Sequence, residues 1–238
     1  MATIILAAGK GVRMRSERPK ALHLLKGVPL VRYPVQVSQA LGSSRIVVVV
    51  GYQAEAVRQT FPPGEVEFAE QREQLGSGHA ALQALPRLED FSGEVLILSG
   101  DVPLLKVQTL KGMVQRHREE GVALTFLTTL PPDPKGYGRV VRGDDGRVLR
   151  IVEERDATPA EKGLREINAG IYCCAKSFLS EALPRIERNN QQAEYYLTDL
   201  VEMASSEGQG VLPVVVTDFW EVLGVNTPEE LAHLEAVF

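Results

Sequence analysis

The stretch TIILAAGKGVRM, residues 3–14, is an apolar run that breaks into glycine and then into positive charge. Its first six residues, Thr3 to Ala8, are apolar or β-branched and carry no charge, the pattern of a parallel strand buried on both faces. The strand signal stops at Gly9. Gly11 and Arg13 follow, and Lys20 comes directly after Pro19. Glycines just past a strand let backbone N–H groups approach an anion without interference from a Cβ. Arginine adds a two-pronged charged fork and lysine a compact charge. The loop therefore reads either as a polyphosphate cradle or as an ordinary basic surface loop. It is not a P-loop, because G-x-x-x-x-G-K-[ST] is absent, nor a dinucleotide fingerprint, because Met14 stands where G-x-G-x-x-G needs its third glycine.

Outward from this stretch, buried strands alternate with helices. RIVVVVG is a second buried strand and EVLILSGD, Glu94 to Asp101, a further one ending in an acid. EVEFAE and VALTFLTTL also read as strands, and Val31 to Leu41, AEAVRQTF, Ala80 to Leu88 and Leu110 to Glu120 as helices. That alternation is the signature of a doubly wound α/β fold with a parallel sheet. Past Pro131 the rhythm changes. GRVVRGDDGRVLRIVEE predicts a hairpin turning at Gly143–Gly146, NAGIYCCA a strand, AKSFLSEALPRI and YLTDLVEMASSEG helices, and VLPVVV and FWEVLGV strands. TPEELAHLEAVF closes the chain as a helix, with Thr227 as N-cap and Pro228 in its first position.

The chain has 238 residues and a net charge of -5, with 44% hydrophobic residues, enough for a core. An acidic chain with one tryptophan and no domain-wide basic face argues against nucleic-acid binding, so the local basic cluster points to a small anion. The apolar runs are too short to span a bilayer, and MATIILAAGK lacks the form of a signal peptide, which predicts a cytoplasmic protein without a membrane partner. The two cysteines, Cys173 and Cys174, are adjacent, a poor geometry for a bridge, and read as a buried strand. No zinc spacing and no hexapeptide β-helix series is present.

Four further clusters carry possible chemistry. In SGDVP, Ser99 to Pro103, Asp101 stands at the carboxyl end of a strand, where open α/β sheets bind ligands and where a hard oxygen suits magnesium; taken alone it reads first as a cap of the next helix. In VLGVN, Asn226 offers a second oxygen, or a turn residue. In QREQLGSGHA, Gln71 both donates and accepts, as a pyrimidine edge requires, and Gly76 and Gly78 let the backbone approach a base; His79 reads as a packing or capping residue near a helix start. GYGR (Gly136 to Arg139), Glu153 and Asn168 offer the carboxylate and amide that hold sugar hydroxyls, with surface charge as the alternative for Glu153.

The order LAAGKGVRM, RPKALH, QLGSGHA, SGDVP, GYGRVV, IVEERDA, EINAGIY, NNQQAEYYLTDLV, EVLGVN resembles, across essentially the whole chain, the uridylyltransferase domain of the bacterial bifunctional N-acetylglucosamine-1-phosphate uridylyltransferases, which also carry an acetyltransferase. EYYLTD and GYGR are its more specific elements. The resemblance implies an α/β, Rossmann-like nucleotide-diphospho-sugar transferase fold, with a mostly parallel central sheet and an inserted sugar-binding β subdomain. It implies residues 1–226 as the nucleotidyltransferase domain, with a sugar-binding part at roughly 131–200, and 227–238 as a C-terminal helix. It implies UTP and a sugar 1-phosphate as substrates and Mg2+ as cofactor. Leu6, Ala7, Ala8 and Gly9 would contact the nucleotide, Arg13 and Lys20 would act on the triphosphate, and Gln71, Gly76 and Ser77 would read uracil. Gly100 and Asp101 would lie under ribose and metal, Asn226 would join Asp101 on the metal, and Gly138, Glu153, Asn168 and Tyr195 would form the sugar site. The runner-up is a uridylyl- or thymidylyltransferase acting on glucose 1-phosphate or another sugar 1-phosphate. Three positions depart from the family pattern: Val12 for a usual Thr, Ser77 for a common Thr, and Ala169 where a small polar residue is frequent. The acetyltransferase β-helix is not in the sequence, so a single-function enzyme or a shortened one is expected, and no oligomeric state carries over.

Overall fold

The computed structural model describes residues 1–237; Phe238, the last residue of the expected C-terminal helix, lies outside the described residues. In chain order the elements are β1 (Ala2–Ala7), β2 (Leu24–Leu25), β3 (Val28–Pro29), α1 (Arg32–Ala40), β4 (Arg45–Val50), α2 (Ala54–Arg58), β5 (Glu67–Glu70), α3 (Ser77–Ala84), β6 (Glu94–Ser99) and α4 (Val107–Glu120). There follow β7 (Leu124–Thr129), β8 (Arg139–Arg142), β9 (Val148–Val152), α5 (Pro159–Lys162), β10 (Ile167–Ala175), α6 (Lys176–Ala182), α7 (Asp199–Ser206), β11 (Val211–Val215), α8 (Phe219–Val222) and α9 (Pro228–Val237).

The main sheet runs β11-β7-β10-β6-β1-β4-β5, with the β8–β9 hairpin joined to the Ile167 end of β10. β6, β1, β4 and β5 are parallel neighbours, and β11 is parallel to β7. β10 alone runs antiparallel to both its neighbours in that row. Strand residues alternate between two cores, one on each sheet face. Ile4, Val47, Val49, Val95 and Ile97 face α3, α6 and α7. Ile5, Val48, Val50, Leu96 and Leu98 face the side of α1 and α4. Both faces are covered, which is why these strands read as unbroken apolar runs. Each fully buried valine or leucine contributes about 1.5–3 kcal/mol of transfer free energy.

The chain passes from β1 to β4 and β5 on one side, then returns to lay β6 on the other side of β1. Strand order reverses between β1 and β6. Their carboxyl ends therefore part and leave a crevice, the position where open α/β sheets take ligands.

One expected element is corrected. FWEVLGV does not form a strand: Phe219–Val222 is a short helix. Glu221 is buried there with its carboxylate on Lys106, from which it accepts the backbone N–H at 3.2 Å and the ammonium at 3.1 Å. Trp220 stacks on His233 of α9, ring centroids 4.6 Å apart. The apolar run is real, and Val222 joins the core on one sheet face, but the segment pairs with no strand, and β-type composition alone cannot supply a strand partner.

Candidate active site

Leu6, Ala7, Gly9, Gly11, Lys20, Ala21, Ser99, Gly100 and Asp101 line a cavity of about 280 Å³ at the β1–β6 crevice. Two close approaches shape its floor. The Gly100 N–H donates to the Leu6 carbonyl at 2.9 Å, and a Cβ on Gly100 would lie 2.9 Å from that same oxygen. A Cβ on Gly51, at the end of β4, would meet the Ala8 carbonyl at 2.7 Å. Gly51 belongs to the site's frame, though nothing in its local sequence marks it.

The two loop glycines have different jobs. Gly11 sits at φ 73°, in the left-handed region, and a Cβ there would fall 2.4 Å from the Cβ of Lys20. The stem of Lys20 lies where any side chain at position 11 would go. Gly9 has nothing within 4 Å of a built Cβ, so its openness serves no contact within this chain.

Arg13, Lys20, Asp101 and Asn226 converge, across 213 residues of sequence at the widest. Arg13 Nη2 and Lys20 Nζ each donate to Asn226 Oδ1 at 2.7 Å. Lys20 also forms an ion pair with the Asp101 carboxylate, both side chains being mostly buried. The Asn226 amide is fixed, because its Nδ2 donates to the Gly224 carbonyl at 2.8 Å. Oδ1 must then face the cations.

Three devices hold this group. Met14, beside Arg13, and Val225, beside Asn226, enter one small core with Leu25, Leu30 and Leu234. The residue that breaks the dinucleotide fingerprint is thus the anchor of the loop. Thr227 and Glu230 form a capping box at the start of α9: the Glu230 N–H donates to Thr227 Oγ1 at 3.2 Å, and Glu230 Oε2 accepts from the Thr227 N–H at 3.3 Å. The same oxygen accepts from the Asn226 N–H at 2.6 Å. Gly224 lies flat on Asp101, where a Cβ would come 3.0 Å from Oδ1, and the Val225 N–H donates to the Asp101 carbonyl at 2.9 Å.

Asp101 and Asn226 present hard oxygens to one point, and a cationic group already sits between them. That donor set fits a magnesium ion whose remaining ligands come from phosphate and water. No cluster of three or more His, Cys, Asp or Glu residues with metal-holding geometry occurs among the described residues.

Gln71 is buried just past β5, in the row formed by the carboxyl ends of β1, β4 and β5, and its N–H donates to the Val50 carbonyl at 2.8 Å. Its side chain donates to the Gly76 carbonyl at 2.9 Å and meets His79 Nδ1 at 3.0 Å. Gly76, at φ 110°, and Gly78 are forced by the backbone of Tyr195, which a Cβ at either would approach to 3.0 Å or less. Ser77 Oγ accepts from the Leu197 N–H at 3.0 Å. This hydroxyl ties the loop to the 195–197 segment.

Gly138, Glu153 and Asn168 also meet. A Cβ on Gly138 would stand 3.4 Å from Glu153 Oε1, and the Asn168 N–H donates to the Gly138 carbonyl at 2.9 Å. Asn168 lies at a bulge in β10, its Nδ2 donating to the Tyr172 hydroxyl at 2.7 Å. Burial pushes the Glu153 carboxyl up, a hydrogen bond from Thr198 opposes the shift, and Asp156 and Glu194 reinforce it. Tyr195 stands apart from this trio: its backbone borders Gly76 and Gly78, and its ring lies 5.9 Å from His79. Thr198, three residues on, is the one that reaches Glu153, at 3.2 Å. Tyr172 lies in an apolar strand with no local sign of a polar partner, and Thr198, though inside EYYLTD, carries no sign of which carboxylate it meets.

Tyr137, from GYGR, comes close to the Arg13–Asp101 group instead. Burial pushes its hydroxyl up to about 12, with Glu230 and Asp101 raising it and Arg13 lowering it. Arg139 is fully buried and clamps the loop, reaching the Tyr137 carbonyl and bonding Glu154 at 2.8 Å.

A glycine-lined crevice lies at the switch point of a Rossmann-like sheet, with two cations, a carboxylate and an amide beside it, an arrangement chemically suited to a phosphorylated ligand. Residues 2–230 match the model of the nucleotidyl transferase family, and the chain belongs to that family. It is 53% identical over 234 residues to the bifunctional protein GlmU of Geobacter metallireducens, covering 98% of this chain and 49% of the relative. It is 51% identical over 234 residues to that of Geobacter sulfurreducens, again 98% and 49% of the two chains. The counterpart in Alcanivorax borkumensis is 45% identical over 238 residues, 100% of this chain and 52% of the relative. The chain thus spans about half the length of the curated relatives it matches. No helix among the described residues is long and apolar enough to cross a membrane.

Proposed function

We propose that the chain is a sugar-1-phosphate nucleotidyltransferase that makes UDP-N-acetylglucosamine and pyrophosphate from UTP and N-acetylglucosamine 1-phosphate. The observation that carries this reading is the convergence of Arg13, Lys20, Asp101 and Asn226 at the mouth of the β1–β6 crevice. The residue roles, a sugar-binding part at about residues 131–200 and a cytoplasmic location belong to the same proposal.

A phosphate oxygen of the sugar phosphate attacks the α-phosphorus of UTP, and the bond from that phosphorus to the β-phosphate oxygen breaks. The electron pair leaves with pyrophosphate. The attacking oxygen is already ionised near neutrality, so no general base is required, and no His, Cys or Ser stands in this group. The work left to the protein is positioning and charge stabilisation. Arg13 and Lys20 would hold the β- and γ-phosphates and meet the negative charge that grows on the leaving group. Gly9 and Gly100 would leave room for the nucleotide to lie against backbone. Gln71, with Gly76 and Ser77, would read the uracil edge. Glu153 and Asn168 would take sugar hydroxyls and the N-acetyl group over Gly138. Asp101 and Asn226 would hold magnesium, which would supply Lewis-acid charge to the reacting phosphates.

Initial rates of pyrophosphate release from UTP and N-acetylglucosamine 1-phosphate with magnesium test the proposal. Turnover that needs both substrates is expected. Tight binding of UDP-N-acetylglucosamine without any turnover would overturn it in favour of a nucleotide-sugar sensor.

A further inference from the structure

The side chain of Gln71 has used up its donors. Nε2 lies 2.9 Å from the Gly76 carbonyl and 3.0 Å from His79 Nδ1. A carbonyl only accepts, so the nitrogen of the amide, and not its oxygen, faces Gly76. That same nitrogen faces His79 Nδ1. The ring nitrogen must therefore accept, which puts the imidazole hydrogen on Nε2. Both amide hydrogens are spent on the protein, and Oε1, a pure acceptor, is what remains. His79 is itself held in place. It stands in the first turn of α3, its ring lies tilted at 5.9 Å from that of Tyr195, and Tyr195 is pinned by backbone bonds to Leu75 and Gly78 at 2.8 Å each.

We propose that His79 is a positioning residue that fixes Gln71 as an obligate acceptor and so sets which pyrimidine the enzyme takes. The inference rests on the reading of Gln71 as the base-contacting residue. Uracil carries a donor at N3, which Oε1 accepts. Cytosine carries a lone pair at N3, which Oε1 repels. A free glutamine would turn its amide to suit either base, and His79 together with Gly76 forbids the turn. Thymine has the same N3–H as uracil, so His79 separates UTP from CTP and not from dTTP. A site whose polar groups are fixed in one sense rejects the mismatched partner because a buried group is left unpaired or opposed.

The test is steady-state kinetics with UTP and CTP, each with N-acetylglucosamine 1-phosphate, on wild type, His79→Leu, His79→Asn and Gln71→Ala, with melting temperatures alongside. Asparagine places its amide oxygen near the position of Nδ1 and can accept in its place. His79→Leu is expected to raise KM for UTP about tenfold, with kcat much less affected, and to lower the UTP-to-CTP ratio of kcat/KM about tenfold. His79→Asn is expected to restore most of both. If His79→Leu keeps the wild-type ratio while Gln71→Ala loses it, the inference falls and the reading of Gln71 stands. If Gln71→Ala behaves like wild type, Gln71 does not read the base and both fall. If His79→Asn melts normally yet is as impaired as His79→Leu, the acceptor role is refuted. Should the leucine variant not fold, His79→Gln, whose amide extends past the Nδ1 position, replaces it in the comparison with the same expectation.

Discussion

Replacing Lys20 by methionine separates charge from packing at the centre of the site. The stem of Lys20 fills the space that Gly11 leaves open, and methionine keeps that filling while removing the ammonium. The ammonium contacts the Asp101 carboxylate and lies 2.7 Å from Asn226 Oδ1, with the side chain 19% exposed. As the α-phosphorus–oxygen bond breaks, about one unit of charge develops on the leaving oxygen. An ammonium about 4 Å away, at an effective dielectric constant of about 20, is worth about 4 kcal/mol to that charge. Loss of one such preorganised group commonly costs about 10²- to 10³-fold in kcat, which agrees with that figure. We therefore expect kcat of Lys20→Met to fall by about 10²- to 10³-fold, measured by pyrophosphate release at saturating substrates. Two further readouts follow from the geometry. Asp101 loses its cation while staying mostly buried, so the ligand-free variant should unfold about 1–3 kcal/mol more easily, between the costs of surface and buried pairs. Mn2+ alone, followed by its electron paramagnetic resonance signal, should bind the variant more tightly than wild type, because an ammonium no longer sits between Asp101 and Asn226. A kcat within about threefold of wild type would refute the assignment of Lys20 to the leaving group.

Gly11→Ala should destabilise the fold by about 1–2 kcal/mol from the left-handed backbone alone and displace Lys20, lowering both melting temperature and kcat. Gly9→Ala meets nothing in the chain, so its melting temperature should stay at the wild-type value while KM for UTP rises; a drop in melting temperature equal to that of Gly11→Ala would contradict the distinction. Burial pushes the Asp199 carboxyl up from 3.8 to about 6, helped by Glu202, Glu153 and Asp156. The folded state then binds the proton more tightly, so the stability this group contributes is full below pH 3.8 and is lost as pH rises to about 6. Asp199→Asn should gain up to about 3 kcal/mol over wild type at pH 8 and nothing near pH 3.5, by denaturant melts; an equal gain at both pH values would refute the shift. Chelation of divalent cations should abolish turnover of the wild type, with recovery on adding Mg2+.

The parallel half of the fold was legible because strands buried on both faces write themselves as unbroken apolar runs, as in IVVVV and VLILS. The reversed direction of β10 left no such trace, since NAGIYCCA has the same composition whichever way it runs. FWEVLGV misled because its apolar residues are buried without strand pairing: Val222 joins the core on the α1 and α4 face of the sheet, Val225 enters the small core with Leu234, and Trp220 stacks on His233 of α9. Within the site, Arg13, Lys20, Asp101 and Asn226 could be named from residue type and motif order. What brings them together was not visible. The anchor of Met14 beside Val225 is a relation between distant positions, the contact of Gly11 with Lys20 depends on how the loop folds back, and the Thr227 cap, local and legible, gave no sign that Glu230 also holds the Asn226 N–H. His79 was the clearest loss, since a histidine near a helix start looks the same whether it caps, packs or orients a glutamine.

The proposed reaction joins UTP to N-acetylglucosamine 1-phosphate in this crevice. The most direct measurement is a single reaction with magnesium in which UTP, dTTP, CTP and GTP compete at equal concentration for N-acetylglucosamine 1-phosphate and glucose 1-phosphate, with the nucleotide sugars resolved by mass spectrometry. UDP-N-acetylglucosamine as the dominant early product is the predicted result. Dominance of a glucose product or of a thymidine diphosphate sugar would contradict the substrate assignment and move it to the runner-up pair, and a reaction mixture with no nucleotide sugar at all would contradict the claim outright.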